Sequence, residues 1–458
     1  MFSSVKNIHF VGIGGIGMSG IAEILLKEGF SISGSDMNQS DNTDYLKNLG
    51  AKIFIGHAEE NIDDAEVVVY SSAVKIDKNV ETQAAKDRNI PLIRRAEMLA
   101  EVSRLNYCVA VAGTHGKTTT TSMVALPLIN GGIDPTVLVG GRLSDFGGTN
   151  ARLGKGKWTV VEADEYDRSF LQLLPTFGII NNIEPEHMDI YKDEEDLMDT
   201  FVEFANKVPF YGFLALGLDS KLNRQILQRI NKKVITFGLS RHADVRGAKL
   251  EHDGIRTSFD VLRENELLGR VTINIPGEHN VRNALASITI ALELEVPFET
   301  IATSLANFKG VMRRFELKGS YNGADIIDDY AHHPSEVSAT IAAARAAYGD
   351  KRIIAIFQPH TFTRTKNLYQ EFGESFDEAD SLIVTGIYPA REEPIEGVTG
   401  DLISDAASDY GHKDVAYFEN LEDIAPAVKG IIDKDSVVVC MGAGPIWKVA
   451  NELAGKNK

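Results

Sequence analysis

The stretch "YCVAVAGTHGKTTTTSMVALPLINGG", from Tyr107, constrains the chain most. An apolar run breaks into Gly113-Thr114-His115-Gly116-Lys117-Thr118, then resumes as a helical pattern closed by two glycines. A buried strand that feeds a glycine turn and then a helix presents free backbone N–H groups to phosphate. Lys117 is placed to bridge the β- and γ-phosphates of a nucleotide, and the Thr118 hydroxyl to ligate Mg²⁺. Two residues separate the glycines, where four are usual, and Val111 stands where the first glycine would fall. The loop is therefore a variant of the P-loop, and it demands an α/β sheet to carry it.

A second glycine loop comes earlier. "HFVGIGGIGMSG", His9 to Gly20, passes from an apolar run into Gly12-x-Gly14-x-x-Gly17. Asp36 follows Gly17 by 19 residues, at the end of "SISGSD", where a ribose hydroxyl can be bonded. This pattern points to a phosphate or diphosphate with a ribose. It leaves open a nicotinamide dinucleotide, another nucleotide handle, or tight helix–strand packing without a ligand.

Strands alternating with helices recur along the whole chain, which predicts three α/β units in series. "NIHFVGI", "SISGSD", "KIFIG" and "EVVVYSSAV" read as strands of a first, Rossmann-like unit, residues 1–105. "YCVAVAG", "WTVVEAD", "FGIINNI" and "FLALGL" belong to a central P-loop unit, residues 106–311, with an antiparallel extension from Ala243 to Pro276. Helices are expected from Leu197 to Val208, Asn280 to Leu294 and Phe298 to Phe308. "ADIIDDY", "RIIAIFQPH", "SLIVTGI", "VAYFE" and "SVVVCMGAG" form a third, Rossmann-like unit, residues 312–458.

Chemistry-bearing side chains cluster where these strands end, at the edge where open α/β sheets bind ligands. Glu162, Asp164 and Glu165 close "WTVVEAD", and His187 leaves the next strand, so a carboxylate and an imidazole accompany the P-loop threonine. In "IIDDYAHHPSE", adjacent His332 and His333 cannot easily face one site, so one faces ligand and the other is structural. His360 and Arg364 follow the next strand, and an arginine there suits either a small carboxylate or a solvated helix start. Arg313 and Arg314 stand between the second and third units, suited to phosphate or to bridging an interface.

Composition narrows the partners. The net charge of −18 opposes general binding to nucleic acid or anionic lipid, so neither nucleic acid nor membrane is expected as a partner. No stretch approaches the roughly 20 apolar residues of a membrane span. "MFSSVKNIHF" lacks an apolar core with a cleavage site, and Cys108 and Cys440 sit in apolar strands as small buried hydrophobes. Together these predict a cytoplasmic protein.

In order, "GIGGIGMSG", "AGTHGKTTTT", "EADEYD", "NNIEPEHMD", "GEHNVRNA", "RRFE" and "DDYAHHPSE" resemble the Mur ligase family over essentially the whole chain. That resemblance implies a three-domain, ATP- and Mg²⁺-dependent (or Mn²⁺-dependent) ligase of cytoplasmic peptidoglycan precursor synthesis, a monomer or weak dimer. Within the family, the double histidine resembles both the member that joins L-alanine to UDP-N-acetylmuramic acid and the recycling member, which attaches a whole peptide. The opening glycines resemble the former more than the latter. The resemblance implies that Gly14, Gly15, Ile16, Gly17, Asp36, Ser71 and Arg95 surround the UDP-sugar. It places Gly113, Thr114, His115, Gly116, Lys117, Thr118 and Thr119 on ATP phosphates, Asn280 and Asn283 on adenine, and Arg313 on phosphate. Thr118 and Glu162 are implied as contacts of one metal ion and His187 as the ligand of a second. Lys117, His187 and Arg313 are implied to act in catalysis, and Tyr330, His332 and Arg364 to form the alanine pocket, with Arg364 on the carboxylate. An NAD(P)-dependent oxidoreductase and a non-enzymatic nucleotide switch are the rival classes. Nothing beyond the first loop asks for nicotinamide.

Overall fold

The computed structural model describes residues 5–71, 73–141, 148–186, 190–390 and 392–456. The chain folds into two compact units, Met1–Ala248 with Val261–Gly269 and Arg282–Phe308, and Lys249–Asp260 with Arg270–Val281 and Lys309–Lys458. Three sheets build three α/β domains in series.

The first sheet is parallel throughout. Its strands are β1 (Asn7–Val11), β2 (Ser31–Asp36), β3 (Lys52–Ile55), β4 (Val67–Tyr70) and β5 (Leu92–Arg94), ordered β3-β2-β1-β4-β5. The order reverses between β1 and β4, which opens a crevice beyond the carboxyl end of β1. The first glycine loop leaves β1 at that switch point.

The second sheet comprises β6 (Tyr107–Ala112), β7 (Thr136–Leu138), β8 (Ala151–Arg152), β9 (Trp158–Glu162), β10 (Phe177–Ile180), β11 (Phe213–Gly217) and β12 (Val234–Gly238). It continues through β13 (Val245–Asp253), β14 (Arg256–Arg263) and β15 (Glu266–Ile273), in the order β15-β14-β13-β12-β11-β10-β6-β9-β7-β8. β6 lies parallel between β9 and β10. Cys108 to Ala112 are all buried, as a strand covered on both faces requires. Consequently the P-loop emerges with the end of β9 on one side and the end of β10 on the other. Two-residue connections join β13 to β14 and β14 to β15, a length that allows only antiparallel hairpins.

The third sheet contains β16 (Glu316–Tyr321), β17 (Ala324–Asp329), β18 (Arg352–Phe357), β19 (Ser381–Thr385), β20 (Val415–Phe418) and β21 (Ser436–Met441), ordered β16-β17-β21-β18-β19-β20. β16 is an antiparallel edge strand, and the pairings of the other five are parallel. β21 lies between β17 and β18, so the chain segments following these three strands share one edge.

The three expected helices are present as Glu194–Asn206, Glu278–Glu293 and Phe298–Ala306. Strands β5, β7, β8, β12 and β16 went unread, because most are short or polar and lie toward sheet margins. Both cysteines are buried and unbridged, and burial pushes the Cys108 thiol up to about 12. Among the described residues, no helix is long and apolar enough to cross a membrane.

Candidate active site

The first glycine loop is fixed from β2. The Ser35 carbonyl accepts N–H bonds from Gly12 at 2.8 Å and Ile13 at 3.0 Å. Asp36 Oδ2 accepts the Gly14 N–H at 2.9 Å, and Asn42 Nδ2 donates to the Gly14 carbonyl at 2.7 Å. Asp36 therefore braces the loop itself, a task the sequence did not suggest. Gly15 caps the helix Ile16–Lys27, and Arg95 lies over Gly17, where an added Cβ would come 2.9 Å from Nη1. Ser71, just beyond β4, packs against Gly12 across the switch point. All the residues expected around a UDP-sugar thus gather at one helix N-terminus, with an arginine as the cation.

The second loop carries its own cation. Lys117 Nζ donates to the Gly113 and Thr114 carbonyls at 2.8 and 3.0 Å, and lies 2.9 and 2.7 Å from the two oxygens of buried Glu165. Burial alone would depress this lysine. The carboxylates of Glu165, Asp164 and Glu162 more than reverse that and hold it above the ordinary lysine range. The Thr118 hydroxyl donates to Glu162 Oε1 at 3.1 Å, and the Gly140 N–H to Glu162 Oε2 at 2.7 Å. Burial, opposed by Lys117, raises the Glu162 carboxyl. Of the three acids expected near a metal, Glu162 meets Thr118 while Glu165 meets Lys117. Thr119 is buried in the first turn of the helix.

Asparagines following β10 and in the helix Glu278–Glu293 support this loop. Asn182 Oδ1 accepts the His115 N–H at 2.8 Å, and the Asn182 carbonyl accepts the Thr114 N–H at 3.0 Å. Asn283 Oδ1 accepts the Thr120 hydroxyl at 3.0 Å and stands against Gly116, whose φ of +78° suits glycine. Asn280 instead donates to the Pro276 carbonyl at 2.7 Å. The expectation for His187 falls outside the described residues.

The third cluster lies beyond β17, β18 and β21. Arg313 Nη2 donates to the carbonyls of Gly442 and Gly444 at 2.5 and 3.1 Å, Nε lies 3.4 Å from Asp328 Oδ2, and the guanidinium stacks 5.0 Å from the Tyr330 ring. Asp328 is fully buried, and burial, opposed by Arg313, pushes its carboxyl up to about 6. The His332 ring stands edge-on to Tyr330 at 5.3 Å and to His360 at 5.6 Å. His360 Nδ1 lies 3.4 Å from Arg364 Nη1, and its ring is 5.7 Å from Tyr388. Burial, with the charges of His332 and Arg364, depresses His360 to about 4, so it stays neutral at physiological pH. His333 occupies the N-cap position of the helix Pro334–Tyr348, with its Nδ1 2.8 Å from Ser335 Oγ. Tyr330, His332 and Arg364 thus fall in one side-chain cluster through His360, which also meets Tyr388, a residue that no motif announced.

Three family models match in succession: "Mur ligase family, catalytic domain" over residues 7–107, "Mur ligase middle domain" over 111–291, and "Mur ligase, glutamate ligase domain" over 313–444. The chain belongs to the Mur ligase family. Two relatives named UDP-N-acetylmuramate–L-alanine ligase are 50% identical, from Geotalea uraniireducens, and 48% identical, from Geobacter sulfurreducens. The alignments cover 100% of this chain and 99% and 98% of those proteins. The crystal structure of UDP-N-acetylmuramate-alanine ligase from Thermotoga maritima superposes with a TM-score of 0.83 at 28% identity, covering 99% of both chains. A murein peptide ligase from Psychrobacter arcticus shares the fold, with a TM-score of 0.71 at 24% identity and 99% of both chains covered.

Sequence reasoning missed Asn150 of this Mur ligase. Its Nδ2 donates 2.6 Å to the Ile16 carbonyl and so ties the central domain to the helix that the first loop opens. Asn150 belongs to no motif, and only the fold brings it to residue 16.

Proposed function

We propose that this chain is an ATP-dependent amide-bond ligase that joins L-alanine to the lactyl carboxylate of UDP-N-acetylmuramic acid. The observation that carries the reading is the unlike equipment of two glycine loops at two sheet switch points. Only the second carries a lysine within the loop, with Glu162 and Glu165 from the end of β9 beside it, so it suits phosphoryl transfer, whereas the first suits a diphosphate that is held and not cleaved. Near-50% identity over full length to ligases of this specificity supports the choice of substrates.

We assign the UDP-sugar to residues 1–105, ATP to 106–311 and the amino acid to 312–458, and the reaction to the cytoplasm. A carboxylate is a poor electrophile. Its oxygen attacks the γ-phosphorus, ADP departs, and the acyl phosphate then offers phosphate as a leaving group. The free α-amine of alanine attacks the acyl carbon, phosphate is expelled, and the amide forms. Lys117 and the loop N–H groups balance charge on the transferring phosphoryl group. Arg313, whose head is aimed by the carbonyls of Gly442, Ala443 and Gly444 and by Asp328, serves as the C-terminal domain's cation for phosphate. Arg364 takes the alanine carboxylate, beside Tyr330 and His332.

The Thr118 hydroxyl and the Glu162 carboxylate form an all-oxygen donor pair that fits Mg²⁺, or Mn²⁺ in its place. An ion bound there supplies charge neutralisation on phosphoryl oxygens. His187 is assigned to a second ion.

A substrate-omission assay tests the reading. Phosphate release is expected only when UDP-N-acetylmuramate, ATP, Mg²⁺ and L-alanine are all present. Release with a tripeptide but not with alanine would move the assignment to the peptide-attaching relative. Hydride transfer from NADH would overturn it altogether.

A further inference from the structure

Glu81, in the helix Val80–Asp87, is a carboxylate with no solvent exposure, and the reaction above gives it no task. Four segments converge on it. Ser35 Oγ donates at 2.5 Å and Asn61 Nδ2 at 2.6 Å, His57 Nδ1 lies at 3.0 Å, and His9 Nε2 at 3.8 Å. Strand alternation explains the meeting: Val11 packs with Ala84 and Ala85, so His9, two residues earlier on β1, faces the same helix. Ser33 and Ser35 share that face on β2, and Ser33 Oγ lies 2.8 Å from His9 Nδ1.

Burying a carboxylate costs several kcal/mol unless it is paired and hydrogen-bonded. An apolar side chain would fill the same space without that cost. What the polar network adds is one defined position for β2. That position matters because Ser35 is where the network meets the first glycine loop. The Ser35 carbonyl holds the N–H groups of Gly12 and Ile13, and the next residue, Asp36, holds that of Gly14. Three successive loop N–H groups are thereby fixed from residues 35 and 36. Those of Ile16 and Gly17 belong to the first helical turn, which cannot satisfy its own donors and offers them to an anion.

We infer that Glu81 is a positioning residue for the UDP-sugar, acting through Ser35 on the loop that grips its diphosphate. The inference rests on the proposal that this loop holds the UDP handle. It places Glu81 behind the sheet, out of contact with substrate, with its effect confined to one of the three substrates.

The test is a double-mutant cycle on the full-length enzyme with Glu81→Gln, Ser35→Ala and both together. Each single change is expected to raise KM for UDP-N-acetylmuramate ~5–20-fold, with kcat and KM for ATP within ~2-fold, because a small displacement of a gripping loop has effects of this order. The double variant should be no worse than the worse single, since both remove one interaction. Multiplying effects, or equal losses in KM for ATP and in kcat, would make Glu81 a general structural residue and overturn the inference. Ser35→Ala removes only a buried hydroxyl, so an unchanged KM in that variant overturns it even if Glu81→Gln fails to fold. Calorimetric titration of the wild-type enzyme with UDP-N-acetylmuramate separates the two layers. No binding there defeats the reading of the loop, whereas binding with unaffected variants defeats only the role of Glu81.

Discussion

The two glycine loops share a backbone plan and differ in what surrounds it. Each leaves the carboxyl end of a parallel strand at a switch point and opens a helix. The first is immobilised by spending its early N–H groups on Ser35 and Asp36, and its cation, Arg95, comes from another helix. The second keeps Lys117 within the loop, balanced against Glu165, with Thr118 and Glu162 as an oxygen pair alongside. A grip needs a fixed shape and one complementary charge. A phosphoryl-transfer site needs charges that answer those developing on the phosphate. The glycine pattern alone cannot separate these tasks, and the neighbouring side chains can.

Substitutions that act on one loop should spare the other. Lys117→Ala carries the largest expected effect, a fall in kcat of ~10³-fold or more, since it removes the cation proposed to balance the transferred phosphoryl group. Measured phosphate release within ten-fold of wild type would break the contrast. Arg364→Ala lies outside both loops and should raise KM for alanine ~10–100-fold, the scale of a lost charge-assisted bidentate contact. KM for each nucleotide substrate should stay put, and an unchanged KM for alanine would remove Arg364 from the carboxylate.

Gly14→Ala sharpens the comparison from the other side. A Cβ there would sit 2.9 Å from Asp36 Oδ2 and 3.1 Å from Ser40 Oγ, forcing the brace apart. KM for UDP-N-acetylmuramate is expected to rise ~10-fold, with KM for ATP unmoved. The smallest effect concerns acid stability. Burial would raise Glu81, but the nearby His9 imidazole and the hydrogen bonds from Ser35 and Asn61 prevail and hold it at about 2 against an ordinary value of 4.5. The folded state therefore binds fewer protons. Stability from this group is complete above pH 4.5 and is lost as pH falls toward 2. Denaturant melts across that window should converge for wild type and Glu81→Gln as pH drops, and parallel curves would contradict the assignment.

Much of this architecture was legible in the sequence, for a physical reason. Parallel strands buried on both faces must be continuous apolar runs, so β1, β6, β10, β18 and β21 announced themselves, and the loops that follow them carried the chemistry. β16 (Glu316–Tyr321) did not, because an antiparallel edge strand with charged and glycine residues has no such run. Tyr330, His332 and Arg364 were legible as strand-end residues, yet Tyr388 reaches His360 beside them only because β18 and β19 are neighbours. Asn150 and Glu81 were illegible. Each is a single polar residue whose partners lie far away in sequence, and nothing local distinguishes it from a surface side chain.

The most direct test of two loops with two guests is calorimetric titration of UDP-N-acetylmuramate into Lys117→Ala enzyme. The account predicts a Kd within ~2-fold of wild type, in protein that no longer releases phosphate, because sites without shared partners act independently. Loss of UDP-N-acetylmuramate binding in that variant would contradict it.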